Sequence, residues 1–327
     1  METIVMGIDV SKDTLDVCLR WPMRQTYSRF DNTAGGHQQL QRWLKMQEVE
    51  TVHACLEATG QYGEAVAEYL YQLGHIVSVV NPARIKAYGR SKLRRNKTDK
   101  ADAELIADFC ANQKPAPWSP PPAEFKDLQA LVRRLEDLMA ARQQESNRLQ
   151  SGVTTRAVVQ DLMAHLEFLD QQIVKIKHLI QDHIDQHPDL HEQQELLESI
   201  PGIGKLTAAK LLGEIRNIRE FESARQLAAY AGLTPEQITS GTSVHKKSRL
   251  SKTGNANLRK ILYMPSISAK RWNPIIKAFC QRLALSGLRP MELIGAAMRK
   301  MLHLVYGVLK HGRPFDPNYL AKRQFVP

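Results

Sequence analysis

Four acids in the first third of the chain stand where carboxylates do metal chemistry. Asp9 closes the apolar run of "VMGIDVSK", and Glu57 closes that of "ACLEATG". Asp99 and Asp102 lie three apart at the head of a helical stretch, "RNKTDKADAELIADF". Adjacent strands of one sheet bring their ends within several ångströms, and residues i and i+3 share a helix face. Carboxylates gathered without a cation repel and raise one another's pKa, so such a cluster is expected to hold a hard divalent ion, in the usual case Mg²⁺. Two such ions can activate a nucleophile and stabilise the leaving oxygen of a phosphodiester. Each acid alone has a plainer explanation: Asp99 and Asp102 as first-turn acids favoured by the helix dipole, Glu57 as the opening of a turn. The four together, with Arg94, Arg95, Lys97 and Lys100 around them, favour metal, and the basic arm would steer a phosphate backbone toward it.

A second stretch, "TSGTSVHKKSRLSKTGNANLRK" (239–260), mixes Ser240, Ser243, Ser248 and Ser251 with Lys246, Lys247, Arg249, Lys252, Arg259 and Lys260. Gly241 and Gly254 give it the character of a loop. Hydroxyls in a basic loop commonly bind phosphate, so these cations are read as nucleic-acid contacts. One serine could instead attack a phosphodiester. Spacing does not choose which.

The elements that would position these groups follow from periodicity. "TIVMGIDV", "TLDVCLRW" and "QTYSRFDN" read as three strands joined by short turns. A helix at 36–47, the strand "TVHACLEA", a helix at 62–73, the strand "HIVSVVNP" and helices over about 82–113 come next. That order predicts an RNase H-like mixed sheet over residues 1–118. "PAPWSPPPAEF" (115–125) holds five prolines and marks a linker or a domain edge. Beyond it, Leu128, Leu131, Leu135 and Leu138, then Leu162, Leu166, Leu169, Ile173, Ile176 and Ile180, keep heptad spacing. A helical coiled coil over 119–194 is expected, antiparallel or between chains. "LLESIPGIGKLTAAKLLGEI" places Pro201, Gly202 and Gly204 between two apolar helices, in the pattern of a helix-hairpin-helix. Such a turn can hold a phosphate on backbone N–H groups or serve only for packing. Residues 195–327 read as a mostly helical domain, so the fold class is α/β plus α.

Composition narrows the partners. Residues 1–240 hold 28 basic and 32 acidic side chains, whereas 241–327 hold 17 basic and 2 acidic, net +15. A polyanion, by default nucleic acid, explains a segment that positive. From 161 to 200 there are nine acids against two lysines, which suits oligomerisation better than nucleic-acid binding. Cys18, Cys55, Cys110 and Cys280 lack metal or dithiol spacing and are expected to be reduced and buried. No signal-peptide pattern or membrane-length apolar run is present, so a cytoplasmic protein is expected.

In these segments the chain resembles the insertion sequence one-ten family of transposases, the bridge-RNA-guided recombinases. "GIDVSKDTLDV", "LEATGQYGEAVAEYL", "VNPARIKAYGRS", "RNKTDKADAELIADF", "LLESIPGIGKLTAAKLL", "LAAYAGLTPEQITSGTSVHKKSRLSKTGNANLRKILYMP" and "YGVLKHGRPFD" fall in the family's order over nearly the whole chain. The resemblance implies a RuvC-like DEDD domain whose acids are Asp9, Glu57, Asp99 and Asp102, a coiled coil, and a transposase domain whose essential serine is Ser240. It further implies a DNA-phosphoserine intermediate, and a composite site with two Mg²⁺ ions in which the RuvC-like domain of one subunit meets the serine domain of another. The implied partners are target and donor DNA, an element-encoded noncoding bridge RNA, and further copies of the chain as a dimer or tetramer. Two other readings stay open: a junction resolvase using metal-activated water, with Ser240 only binding phosphate, and a non-catalytic nucleic-acid-binding protein.

Overall fold

The computed structural model describes residues 4–58, 60–93, 98–240 and 244–318, with the side chains of 61, 237–240 and 244–248 excepted. It divides into two compact units, 1–120 and 121–327.

The first unit is built on five strands in the order β3-β2-β1-β4-β5. β1 (Val5–Val10), β2 (Thr14–Arg20) and β3 (Gln25–Asp31) form an antiparallel meander. A chain reversal after β1 fixes its register: the Ser11 N–H donates to the Thr14 carbonyl and the Thr14 N–H to Ser11 Oγ, both at 2.9 Å. After α1 (Ala34–Met46), β4 (His53–Glu57) lies parallel to β1; after α2 (Glu64–Gln72), β5 (Ile76–Val80) lies parallel to β4. α3 (Pro82–Ser91) and α4 (Asp99–Gln113) complete the unit. The order of elements predicts a mixed sheet over these residues, and the five strands form one.

The two-residue period of the strands divides the core. Met6, Ile8, Leu15, Val17, Leu19, Ala54 and Leu56 pack with Leu40, Leu44, Val66 and Leu70 of α1 and α2. The alternate residues face α4: Val5 and Cys55 pack with Leu105, Ile106, Phe109 and Cys110, and Cys18 packs with Ala103 and Ala107. α4 comes so close to β1 that a Cβ on Gly7 would lie 2.2 Å from the Ala103 carbonyl oxygen and the Ala107 nitrogen. The proline-rich segment is no free tether, since the Trp118 N–H donates to the Val77 carbonyl at 2.6 Å and Trp118 packs against the sheet core.

In the second unit α5 (Ala123–Gln150) and α6 (Arg156–Asp185) form a helical hairpin, with Leu128, Leu135, Leu138, Leu162, Leu169, Ile173 and Ile180 buried along the expected seam. The same core takes in α7 (Pro188–Glu198), α8 (Lys205–Ile215) and the helices beyond. α9 (Ala224–Tyr230) leads to β6 (Pro235–Ser240) and β7 (Val244–Leu250), then to α10 (Ala256–Trp272), α11 (Pro274–Leu285) and α12 (Pro290–His311). The stretch from 239 read as a loop is therefore corrected in part. β6 and β7 pair as an antiparallel hairpin, as the β-branched Ile238, Thr239 and Val244 favour. Among the described residues, no helix is long and apolar enough to cross a membrane.

Candidate functional site

One face of the sheet carries a row of ionic side chains. Asp9 is paired with Asp16 across β1 and β2, and Asp16 with Arg29 across β2 and β3, so the three share the face toward α4. Glu57 follows Leu56, which pairs with Ile8, and so stands on the strand beside Asp9 at the same level and on the same face. Thr98 caps α4, its Oγ1 accepting from the Ala101 N–H at 3.2 Å, and this sets Asp99 and Asp102 in the first turn.

The close approach of α4 at Gly7 brings that turn over the row. Burial pushes the Asp9 carboxyl up to about 6, with further upward pressure from Asp102, Asp99 and Asp16. Asp99 and Asp102 thus bear on Asp9 through their charge. Asp16 joins them; its side chain is buried and held by Arg29 Nε at 3.0 and 3.2 Å and by the Tyr27 hydroxyl. Arg29 also donates from Nη2 to Asp99 Oδ2 at 2.9 Å.

The donor set fits a hard divalent cation. It offers carboxylate oxygens, and a cation there would offset the burial that chiefly raises the Asp9 carboxyl and the smaller repulsion from Asp102, Asp99 and Asp16. Among the described residues no three of His, Cys, Asp and Glu are gathered as a cage for an ion, and Asp99 is engaged by Arg29.

Asp16, Arg29 and Tyr27 were not visible as site residues. The signal that could have found them is hairpin register, since a short turn after Val10 places Asp16 opposite Asp9. Of the basic arm, Lys100 is exposed, with Nζ 5.4 Å from the Tyr27 ring centre; Arg94, Arg95 and Lys97 lie outside the described residues.

The second candidate region sits at the end of β6. Ser240 is the last residue of that strand and pairs with Val244; its side chain, like those of Lys246 and Lys247, lies outside the described residues. Arg249 and Lys252 are exposed. Arg259 has an internal task instead: its Nη1 donates to the carbonyls of Ala231, Gly254 and Asn255 at 2.9, 3.3 and 3.4 Å. Lys260 pairs with Glu136. The buried Glu214 accepts from Asn255 Nδ2 at 2.7 Å, and Asn255 caps α10, so the turn that follows the hairpin is fixed from beneath. Gly202, in the turn between α7 and α8, has φ of 105°, and a Cβ there would lie 2.9 Å from Ala269 Cβ. That turn packs closely on α10.

Two family models match the chain. One, described as a DEDD transposase of the IS110 type, covers residues 6–155; the other, the transposase IS116/IS110/IS902 family, covers 194–281. The pilin gene-inverting protein of Moraxella bovis is 35% identical over 321 residues, which span 97% of this chain and 98% of that protein. The transposase for insertion sequence element IS1328 of Yersinia enterocolitica is 26% identical, over 79% of this chain and 81% of its own length. Among solved structures, T. thermophilus RuvC in complex with a Holliday junction substrate aligns with a TM-score of 0.27 and 16% identity, over 35% of this chain and 98% of that one. Full-length similarity at this level, with both family models in register, shows that the chain belongs to the IS110 family of transposases, enzymes that cleave DNA and transfer its strands.

Proposed function

We propose that this transposase is an RNA-guided DNA recombinase that uses Ser240 as nucleophile and Asp9, Glu57, Asp99 and Asp102 as ligands for Mg²⁺. The observation that carries the metal half is the convergence on one sheet face of Asp9 with the first turn of α4, where the Asp9 carboxyl is pushed to about 6. Bound there, the ions would polarise a scissile phosphate and neutralise the charge developing on it. The chain's own part is geometric. The sheet and α4 hold the carboxylates, Lys100 and the basic arm draw in the backbone, and Arg249 in β7 with Lys252 just after it adds exposed cations to the strand pair that carries Ser240.

In the step assigned to Ser240, its hydroxyl loses a proton, an Oγ–P bond forms and a P–O bond to the adjoining deoxyribose breaks, leaving a free hydroxyl on the DNA. That hydroxyl, or its counterpart on the second duplex, reverses the exchange at phosphorus and regenerates the serine. Two active regions of this kind suit a composite site between subunits, in a dimer or tetramer. Guidance by an element-encoded RNA fits a protein that offers many cations for backbone contact, and it leaves base recognition to pairing.

The test is incubation of purified protein with donor and target DNA and the flanking noncoding RNA, followed by denaturing electrophoresis. A covalent protein–DNA adduct is expected, absent in Ser240→Ala. Asp9→Asn and Asp102→Asn should each lower strand cleavage by about 10³-fold or more. An adduct that persists in Ser240→Ala rejects the nucleophile, and free 5′-phosphate ends without any adduct support hydrolysis by water. Exchange that proceeds equally well without the RNA rejects guidance.

A further inference from the structure

The four acids leave Arg29 without a role, yet among the described residues it is the cation most firmly built into their surroundings. Its Nε donates to both oxygens of Asp16 and its Nη2 reaches Asp99 Oδ2, at 3.0, 3.2 and 2.9 Å. Asp16, only 2% exposed, requires a partner, because a buried lone carboxylate is strongly unfavourable. Tyr27 secures the same carboxylate from the neighbouring strand position. A guanidinium presents donors along more than one edge, so it can stay on Asp16 while it spans to a carboxylate on another element; an ammonium cannot do both as well. Asp99 has a side chain 65% exposed, and without this contact it would be free to turn into solvent.

We propose that Arg29 is the resident counter-cation of the acid cluster, a positioning residue that holds Asp99 in the metal-free protein and yields it when a divalent ion binds. This rests on the reading of Asp99 as a metal ligand. Binding is then an exchange of one cation for another, and the affinity of the site is set partly by what Arg29 gives up. Once released, the guanidinium remains tethered through Nε to Asp16 at the rim of the site, where its free edge can meet a phosphodiester oxygen.

The probe is Mn²⁺ titrated into full-length protein, with free ion read by electron paramagnetic resonance. Arg29→Gln adds one net negative charge and removes the competitor, so it should bind Mn²⁺ about fivefold more tightly. Arg29→Lys keeps the charge and should stay within about twofold of wild type. Equal or weaker binding by Arg29→Gln, in protein shown folded by circular dichroism, overturns the proposal. Should Arg29→Gln fail to fold, the arginine Nη–H resonances that disappear in Arg29→Lys decide it: a shift on Mg²⁺ addition supports exchange, and no shift rejects it. Wild type that binds no Mn²⁺ rejects the metal site altogether. Binding that is lost in Asp102→Asn but unchanged in Arg29→Gln rejects only the role of Arg29.

Discussion

At Asp9 the chemistry and the stability of the protein pull in opposite directions. Its carboxyl is raised to about 6, chiefly by burial, so the folded state binds this proton more tightly than an unfolded chain with a carboxyl near 3.9. The sign follows: ionising Asp9 costs folded-state stability above pH 6, and the cost is absent below about pH 4. Asp9→Asn should therefore raise the stability of metal-free protein near neutral pH by about 1 kcal/mol, a figure reduced for screening of a partly exposed carboxylate, while it abolishes cleavage. Thermal unfolding at pH 7.5 and pH 4 checks this, since the gain should vanish at the lower pH. Arg259 is the contrasting case. Its guanidinium serves three carbonyls around the start of α10, so Arg259→Gln should destabilise the protein by about 2 kcal/mol rather than merely weaken nucleic-acid binding.

At the scale of elements, the position of α4 decides whether a site exists. Gly7 lets the helix sit against β1, and Asp108 locks it there from the other end. Asp108 accepts from Arg20 of β2 at 2.7 Å and from Tyr88 of α3 at 2.7 Å, with Lys92 at 3.3 Å. Burial opposes the charged form of Asp108, but the hydrogen bonds from Tyr88 and Lys92 and the field of Arg20 outweigh it and hold the carboxyl below its usual range. Its stabilising contribution is therefore present above the unfolded pKa of about 3.9 and is lost as pH falls through the lowered folded value. Asp108→Asn should cost about 2 kcal/mol at pH 7, and the gap to wild type should narrow as pH falls below about 4 in denaturant titrations. Gly7→Ala should cost about 3 kcal/mol, because the added methyl meets backbone on both sides. Cleavage should fall with it as the first turn of α4 leaves the acid row.

Over the whole molecule, charge is divided along the chain, with net +15 confined to residues 241–327. If Arg249 and Lys252 meet backbone phosphates, the double substitution Arg249→Gln, Lys252→Gln should lower the slope of log K against log salt by about 1.8 on duplex DNA. Fluorescence anisotropy over a salt series measures it, and an unchanged slope removes both residues from the interface.

By itself the sequence determined the five strands of the first unit, the helices, the heptad seam and the four acids at the strand and helix ends, because hydrophobic period and end signals are local properties of the chain; it did not determine the β6–β7 hairpin. Tertiary structure alone decided that Asp16 and Arg29 join Asp9 in one row, that Asp99 is clasped by Arg29, that Arg259 serves carbonyls, and that the helical hairpin shares a core with the helices after it. Those facts depend on register and docking between segments distant in sequence. A pattern of residue types records which face of an element is apolar, but not which neighbour will cover it.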